Sequence, residues 1–90
     1  MPVDLSQVLI VEDDTAHIEA IARSFARIFP DTRIRRAESL AEYRQAIVSD
    51  PPDVVLMDLN LPDGRAIDVL SDPTANPAFP ILIMTAHGDE

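Results

Sequence analysis

The sequence predicts an open, parallel α/β sheet with helices on both faces, and three observations carry that reading. Val54-Val55-Leu56-Met57 and Ile81-Leu82-Ile83-Met84 are apolar without alternation, the pattern of strands buried on both faces. Other stretches place apolar residues at three- and four-residue spacing, as a helix with one buried face requires. The two kinds of segment alternate along the chain with short connections, and right-handed crossovers then give a single parallel sheet. Ninety residues suffice for one small domain, assigned to residues 1–90.

Each element follows from local pattern. Gln7 to Val11 is a short apolar run ending in acids and reads as a buried strand. Asp14 or Thr15 can cap the next helix, whose apolar face is Ile18, Ile21, Ala22, Phe25 and Ile28; Pro30 and Asp31 end it. Thr32 to Ala37 alternates, with Ile34 toward the core and Arg33 and Arg35 toward water, which suits an outer strand. Ser39 followed by Glu42 forms a capping box, and Leu40, Tyr43 and Ile47 continue that helix until Asp50-Pro51-Pro52 breaks it. Asp53 to Asp58 is the third strand. Pro62-Asp63-Gly64 is a turn, and a short helix runs on through Leu70. Residues 72–80 hold Pro73, Pro77 and Pro80 and read as an irregular loop before the fourth strand, Ile81 to Met84.

Composition narrows the function. Hydrophobic residues are 47% and charged residues 26% of the chain, as in folded globular proteins. Sixteen acids face seven arginines and no lysine, a formal net charge of −9. A field of that sign repels nucleic acid and anionic lipid and attracts divalent cations. Neither nucleic acid nor membrane is therefore expected as a direct partner. No apolar run approaches the ~20 residues of a membrane span and no signal segment opens the chain, so a cytoplasmic location is expected. Without cysteine there is no disulfide framework and no thiolate metal site.

The chemistry concentrates at strand ends. The first strand ends in Glu12-Asp13-Asp14, the third in Asp58 followed by Asn60, and the fourth in Thr85. Ligands of open α/β sheets sit beyond the carboxyl ends of the strands, where strand order reverses. If the first and third strands are neighbours, two or three carboxylates converge there and repel one another unless a cation joins them. A hard ion with oxygen ligands meets that need, and Mg²⁺ is the natural choice, with Mn²⁺ an alternative. An aspartate beside such an ion can attack phosphorus and form an aspartyl-phosphate, and Thr85 could hydrogen-bond the new phosphoryl oxygen. Taken singly these signals are weak. An acidic triplet before a helix is ordinarily a cap, a lone strand-end Asp a turn residue, and His17 and His87 surface residues. Their joint occurrence favours the functional reading.

At these residues the chain resembles a known family. VLIVEDD, VVLMDLNLPDG and ILIMTAHGDE are similar to the three signature regions of response-regulator receiver domains of two-component phosphorelay signalling. The resemblance implies a doubly wound, flavodoxin-like sheet of order 2-1-3-4-5. These residues account for order 2-1-3-4, the fifth strand and last helices being absent. It implies Asp58 as phosphoacceptor and Asp13 as a direct Mg²⁺ ligand. Glu12 would act through water, Asn60 through its backbone carbonyl, and Thr85 as switch hydroxyl, with small Ala86 keeping the site open. The implied partner is a sensor histidine kinase or a histidine phosphotransfer protein. Slow autophosphatase activity, rather than conventional enzyme turnover, is expected of the full-length domain.

The chain departs from the family in two places. Ala66 stands where glycine is common, and the segment bearing the family's lysine and aromatic switch residue lies beyond Glu90. The domain is thus expected to be incomplete at its C-terminus, leaving Ile81 to Met84 as an apolar edge that a homodimer could cover. The alternative function is a truncated or degenerate receiver acting as a dimerisation module. A dehalogenase-type phosphatase would need a second aspartate where Asn60 stands, and a flavin site would need a glycine- and hydroxyl-rich loop where the acids stand.

Overall fold

The computed structural model describes residues 5–71 and 78–84. The elements are β1 (Gln7–Val11), α1 (Thr15–Ile28), β2 (Arg33–Ala37), α2 (Leu40–Ser49), β3 (Val54–Asp58), β4 (Asn60–Leu61), β5 (Gly64–Arg65), α3 (Ala66–Leu70) and β6 (Ile81–Met84). The main sheet has order β2-β1-β3-β6, every neighbouring pair parallel. This is the expected order 2-1-3-4, since β6 is the fourth strand of the sheet. The unforeseen β4 and β5 form a separate two-residue antiparallel ladder, with Pro62-Asp63 at its tip.

Alternation sorts the side chains of the sheet. Leu9, Val11, Val55 and Met57 point to one face and pack with Leu40 and Tyr43 of α2 and Ala66 and Val69 of α3. Val8 and Ile10 point to the other and are fully buried. Glu12, in phase with them, meets His17 of α1, so that face belongs to α1, whose Ile18 is buried. Helices therefore lie on both faces, as the sequence predicts.

Gly64 fixes the hairpin against this core. Its φ of 155° lies where side chains are rarely found, and a Cβ there would come within 2.7 Å of Leu40 Cδ1.

Four local expectations are corrected. Ile28 is 72% exposed rather than buried, since it ends α1 and no described element covers it. Arg35 does not simply face water. Its guanidinium donates to the Ala46 carbonyl (3.0 Å), to the Asp50 carbonyl and to Gln7 Oε1 (3.1 Å), and so ties the C-terminal end of α2 to β1. The box at Ser39 is half made: Ser39 Oγ accepts from Glu42 N–H (3.1 Å), but the Glu42 carboxylate accepts from Glu38 N–H (3.0 Å) and not from Ser39. Within β6, which reads as a doubly buried strand, Leu82 is 55% and Ile83 37% exposed. The strand ends the sheet among the described residues, the edge position expected of it. Of the predicted loop, residues 72–77 lie outside the described residues.

Candidate functional site

The site is assembled by one register. β1 and β3 are parallel neighbours with Val11 opposite Met57, so the residues that follow, Glu12 and Asp58, emerge at the same end of the sheet. Glu12 continues the sheet by one bond, donating its N–H to the Ala37 carbonyl (2.9 Å), and Asp13 turns the chain into α1. Asp58 lies opposite Met84 of β6, and the next residue, Leu59, donates its N–H to the Met84 carbonyl (3.0 Å). Glu12, Asp13 and Asp58 each offer a carboxylate oxygen, and all these oxygens lie within 4.8 Å of one another. Glu12 is 1% and Asp58 9% exposed, while Asp13 is open to solvent.

Burial sets the electrostatics. It pushes the Glu12 carboxyl above its ordinary value, and the Asp58 charge adds to that push; the bonds from His17 and the Asp14 backbone act against it. Glu12 Oε2 accepts from the N–H groups of Asp13 (3.1 Å) and Asp14 (3.3 Å), and Oε1 is paired with His17 Nδ1. Asp14 is the cap of α1, its carboxylate accepting from His17 N–H (3.2 Å). The donors are hard oxygens around a partly open position, which fits Mg²⁺ or Mn²⁺ and offers no soft ligand.

Of the predicted residues, Glu12, Asp13 and Asp58 come together. Asn60 is exposed and opens β4, two residues past Asp58, opposite Arg65 of β5. Thr85, Ala86 and His87 lie outside the described residues. Two residues are placed differently from their sequence reading. His17, expected at the surface, is half-buried against Glu12. Its one sequence signal is its place in the first turn of the helix that follows the acids. Asp63, read only as a turn residue, takes the N–H groups of Leu40 (2.8 Å) and Ala41 (3.0 Å) at the start of α2, bonds that hold its carboxyl below the usual value. Nothing local announces that contact, which reaches across the chain to another element.

The family model of the response regulator receiver domain matches residues 8–90. The chain belongs to the response regulator receiver family. It is 32% identical over 89 residues to the KDP operon transcriptional regulatory protein KdpE of Escherichia coli, covering 96% of this chain and 37% of that protein. It is 31% identical over 83 residues to the response regulator protein PilR of Pseudomonas aeruginosa, covering 91% of this chain and 18% of that protein. The receiver thus spans little more than a third of the first regulator and under a fifth of the second. Among solved structures, the MaeR response regulator bound to beryllium trifluoride superposes with a TM-score of 0.78 at 28% identity, covering 94% of this chain and 70% of that one. Receiver domains of two-component systems generally bind Mg²⁺ through acidic residues and interact with histidine kinases or phosphotransfer proteins, and an acidic cluster of the required kind is present here. No described helix is long and apolar enough to cross a membrane.

Proposed function

We propose that this receiver accepts a phosphoryl group on Asp58 from a phosphohistidine donor, in a Mg²⁺-dependent transfer. The observation that carries the reading is the convergence of Glu12, Asp13 and Asp58 oxygens within 4.8 Å, two of these residues being buried. Asp13, exposed at the rim, would hold the metal directly, Glu12 through water, and Asn60 through its backbone carbonyl. When bound, the metal would neutralise charge shared between the carboxylates and the incoming phosphoryl oxygens.

An Asp58 carboxylate oxygen attacks phosphorus, the new O–P bond forms as the P–N bond to the donor imidazole breaks, and the imidazole nitrogen leaves with the electron pair and takes a proton. The sheet holds Asp58 at a fixed strand end, so positioning supplies much of the rate. Thr85 would donate its hydroxyl to the transferred group, and the small side chain of Ala86 would leave room for it. MaeR bound to beryllium trifluoride supports the reading by similarity, since that anion has the shape and charge of a phosphoryl group. The donor would be a sensor histidine kinase or a histidine phosphotransfer protein, acting in the cytoplasm. The net charge of −9 makes direct contact of this segment with nucleic acid or a membrane surface unfavourable.

Incubation with a small phosphodonor and Mg²⁺, followed by intact-mass measurement, tests the assignment. Wild type should gain one phosphoryl mass and Asp58→Asn none. An Asp58→Asn variant phosphorylated as readily as wild type would exclude Asp58.

A second reading, a dimerisation module built on β6, is favoured by the exposure of Leu82 and Ile83 on the outer strand of the sheet. Apolar edge strands invite pairing with another chain. Sedimentation of the ninety-residue chain should then report a homodimer that Leu82→Arg dissociates; a monomer at tens of micromolar would reject this reading.

A further inference from the structure

The Glu12 carboxylate is almost sealed from water, 1% of the residue being exposed. Each of its lone pairs must therefore find a partner in the chain or in the metal. Among the described residues the chain supplies three donors. Two are backbone N–H groups of Asp13 and Asp14, both on Oε2 and fixed by the β1–α1 connection. The third is His17 Nδ1 on Oε1, and of the three it alone depends on a side chain. His17 is itself well anchored. It lies in the first turn of α1, its backbone N–H is held by the Asp14 carboxylate (3.2 Å), and its side chain is 29% exposed. The ring thus spans the first turn of α1 and the buried end of β1.

We propose that His17 is a positioning residue for the metal site: its Nδ1–H fixes the Glu12 carboxylate in the orientation from which Glu12 serves the divalent ion. The inference rests on the metal reading of the Glu12, Asp13 and Asp58 cluster and adds a residue to it. A neutral ring with its proton on Nδ1 suffices, so the effect belongs to the hydrogen bond and not to a charge. Without that donor, Oε1 is a buried acceptor with no partner among the described residues, and the Glu12 carboxylate is held only through Oε2. Partners of metal-ligating groups typically contribute tenfold to a hundredfold in affinity. The opposite role is equally concrete. If His17 competes with the ion for Oε1, removing it tightens metal binding.

Calorimetric titration with Mg²⁺, and Mn²⁺ titration followed by electron paramagnetic resonance, distinguish these roles at one fixed, mildly alkaline pH. His17→Leu removes the donor, whereas His17→Asn places an amide N–H near the position of Nδ1. His17→Leu should weaken binding by about tenfold or more, and His17→Asn should return it to within about threefold of wild type. Binding by His17→Leu as tight as wild type or tighter, or equal losses in both variants, would overturn the proposal. Independently of how any variant folds, the His17 Nδ1 nitrogen resonance of the wild type should move on saturation with Mg²⁺; an unmoved resonance overturns it as well. A wild type that binds neither ion removes the metal reading and this inference together. A wild type that binds, beside an unaffected His17→Leu, removes this inference alone.

Discussion

Replacing Asp58 with asparagine should make the metal-free protein more stable while blunting its response to Mg²⁺. Three carboxylates offer oxygens within 4.8 Å of one another, and two of them are buried. Two unit charges ~5 Å apart repel by about 3 kcal/mol at an effective dielectric constant of ~20. That is an upper bound here, because Glu12 is already held by three donors and because burial, more than the Asp58 charge, is what pushes its carboxyl up. Asparagine keeps the shape of aspartate, so no cavity opens, and removing one of the three charges should contribute about 1–2 kcal/mol. For a domain of this size ~1 kcal/mol corresponds to about 4–8 °C in Tm, so the variant should melt about 4–16 °C above wild type in EDTA. Mg²⁺ at a hundred times its Kd should add about 2.7 kcal/mol to wild type by mass action and distinctly less to the variant. Thermal and urea melts of both proteins near pH 7, with EDTA and with Mg²⁺, measure all four quantities. A variant no more stable than wild type in EDTA, or one that gains as much from Mg²⁺, would refute the convergence of charge on which the site is built.

Asp63 makes a prediction in pH. Its carboxyl is held below the ordinary aspartate value because the Leu40 and Ala41 N–H groups donate to its charged form, so its contribution is present above that ordinary value and is lost as pH falls through the lower folded-state value. The advantage of wild type over Asp63→Ala in urea melts should hold at about pH 6 and shrink below about pH 4, and a difference constant across that range would contradict the capping role. Gly64→Ala should cost about 1–3 kcal/mol, from a backbone conformation unfavourable to side chains and from the contact of its Cβ with Leu40. A urea midpoint equal to that of wild type would show that the hairpin relaxes freely.

The four strands of the main sheet, the three helices and their alternation are legible in the residues alone, because an apolar run or a three-to-four spacing is a local property that a short window contains, whereas the two-residue strands β4 and β5 are too short to show one. The sequence also places acids at the ends of the first and third strands. Which strands are neighbours is a different kind of fact. Periodicity leaves it open, and the order 2-1-3-4 is implied only by the family resemblance; the folded chain sets β1 between β2 and β3 with Val11 opposite Met57, and that register turns Glu12 and Asp58 from separate strand-end residues into one site. The same holds for His17 on Glu12, for Asp63 at the start of α2 and for Arg35 at its end. Each of these polar side chains has ordinary local meanings, a surface histidine, a turn aspartate, an outward arginine. Its partner is chosen by burial, because a carboxylate or helix-end amide or carbonyl withdrawn from water must be satisfied by whatever donor or acceptor the fold brings within reach, however distant in sequence.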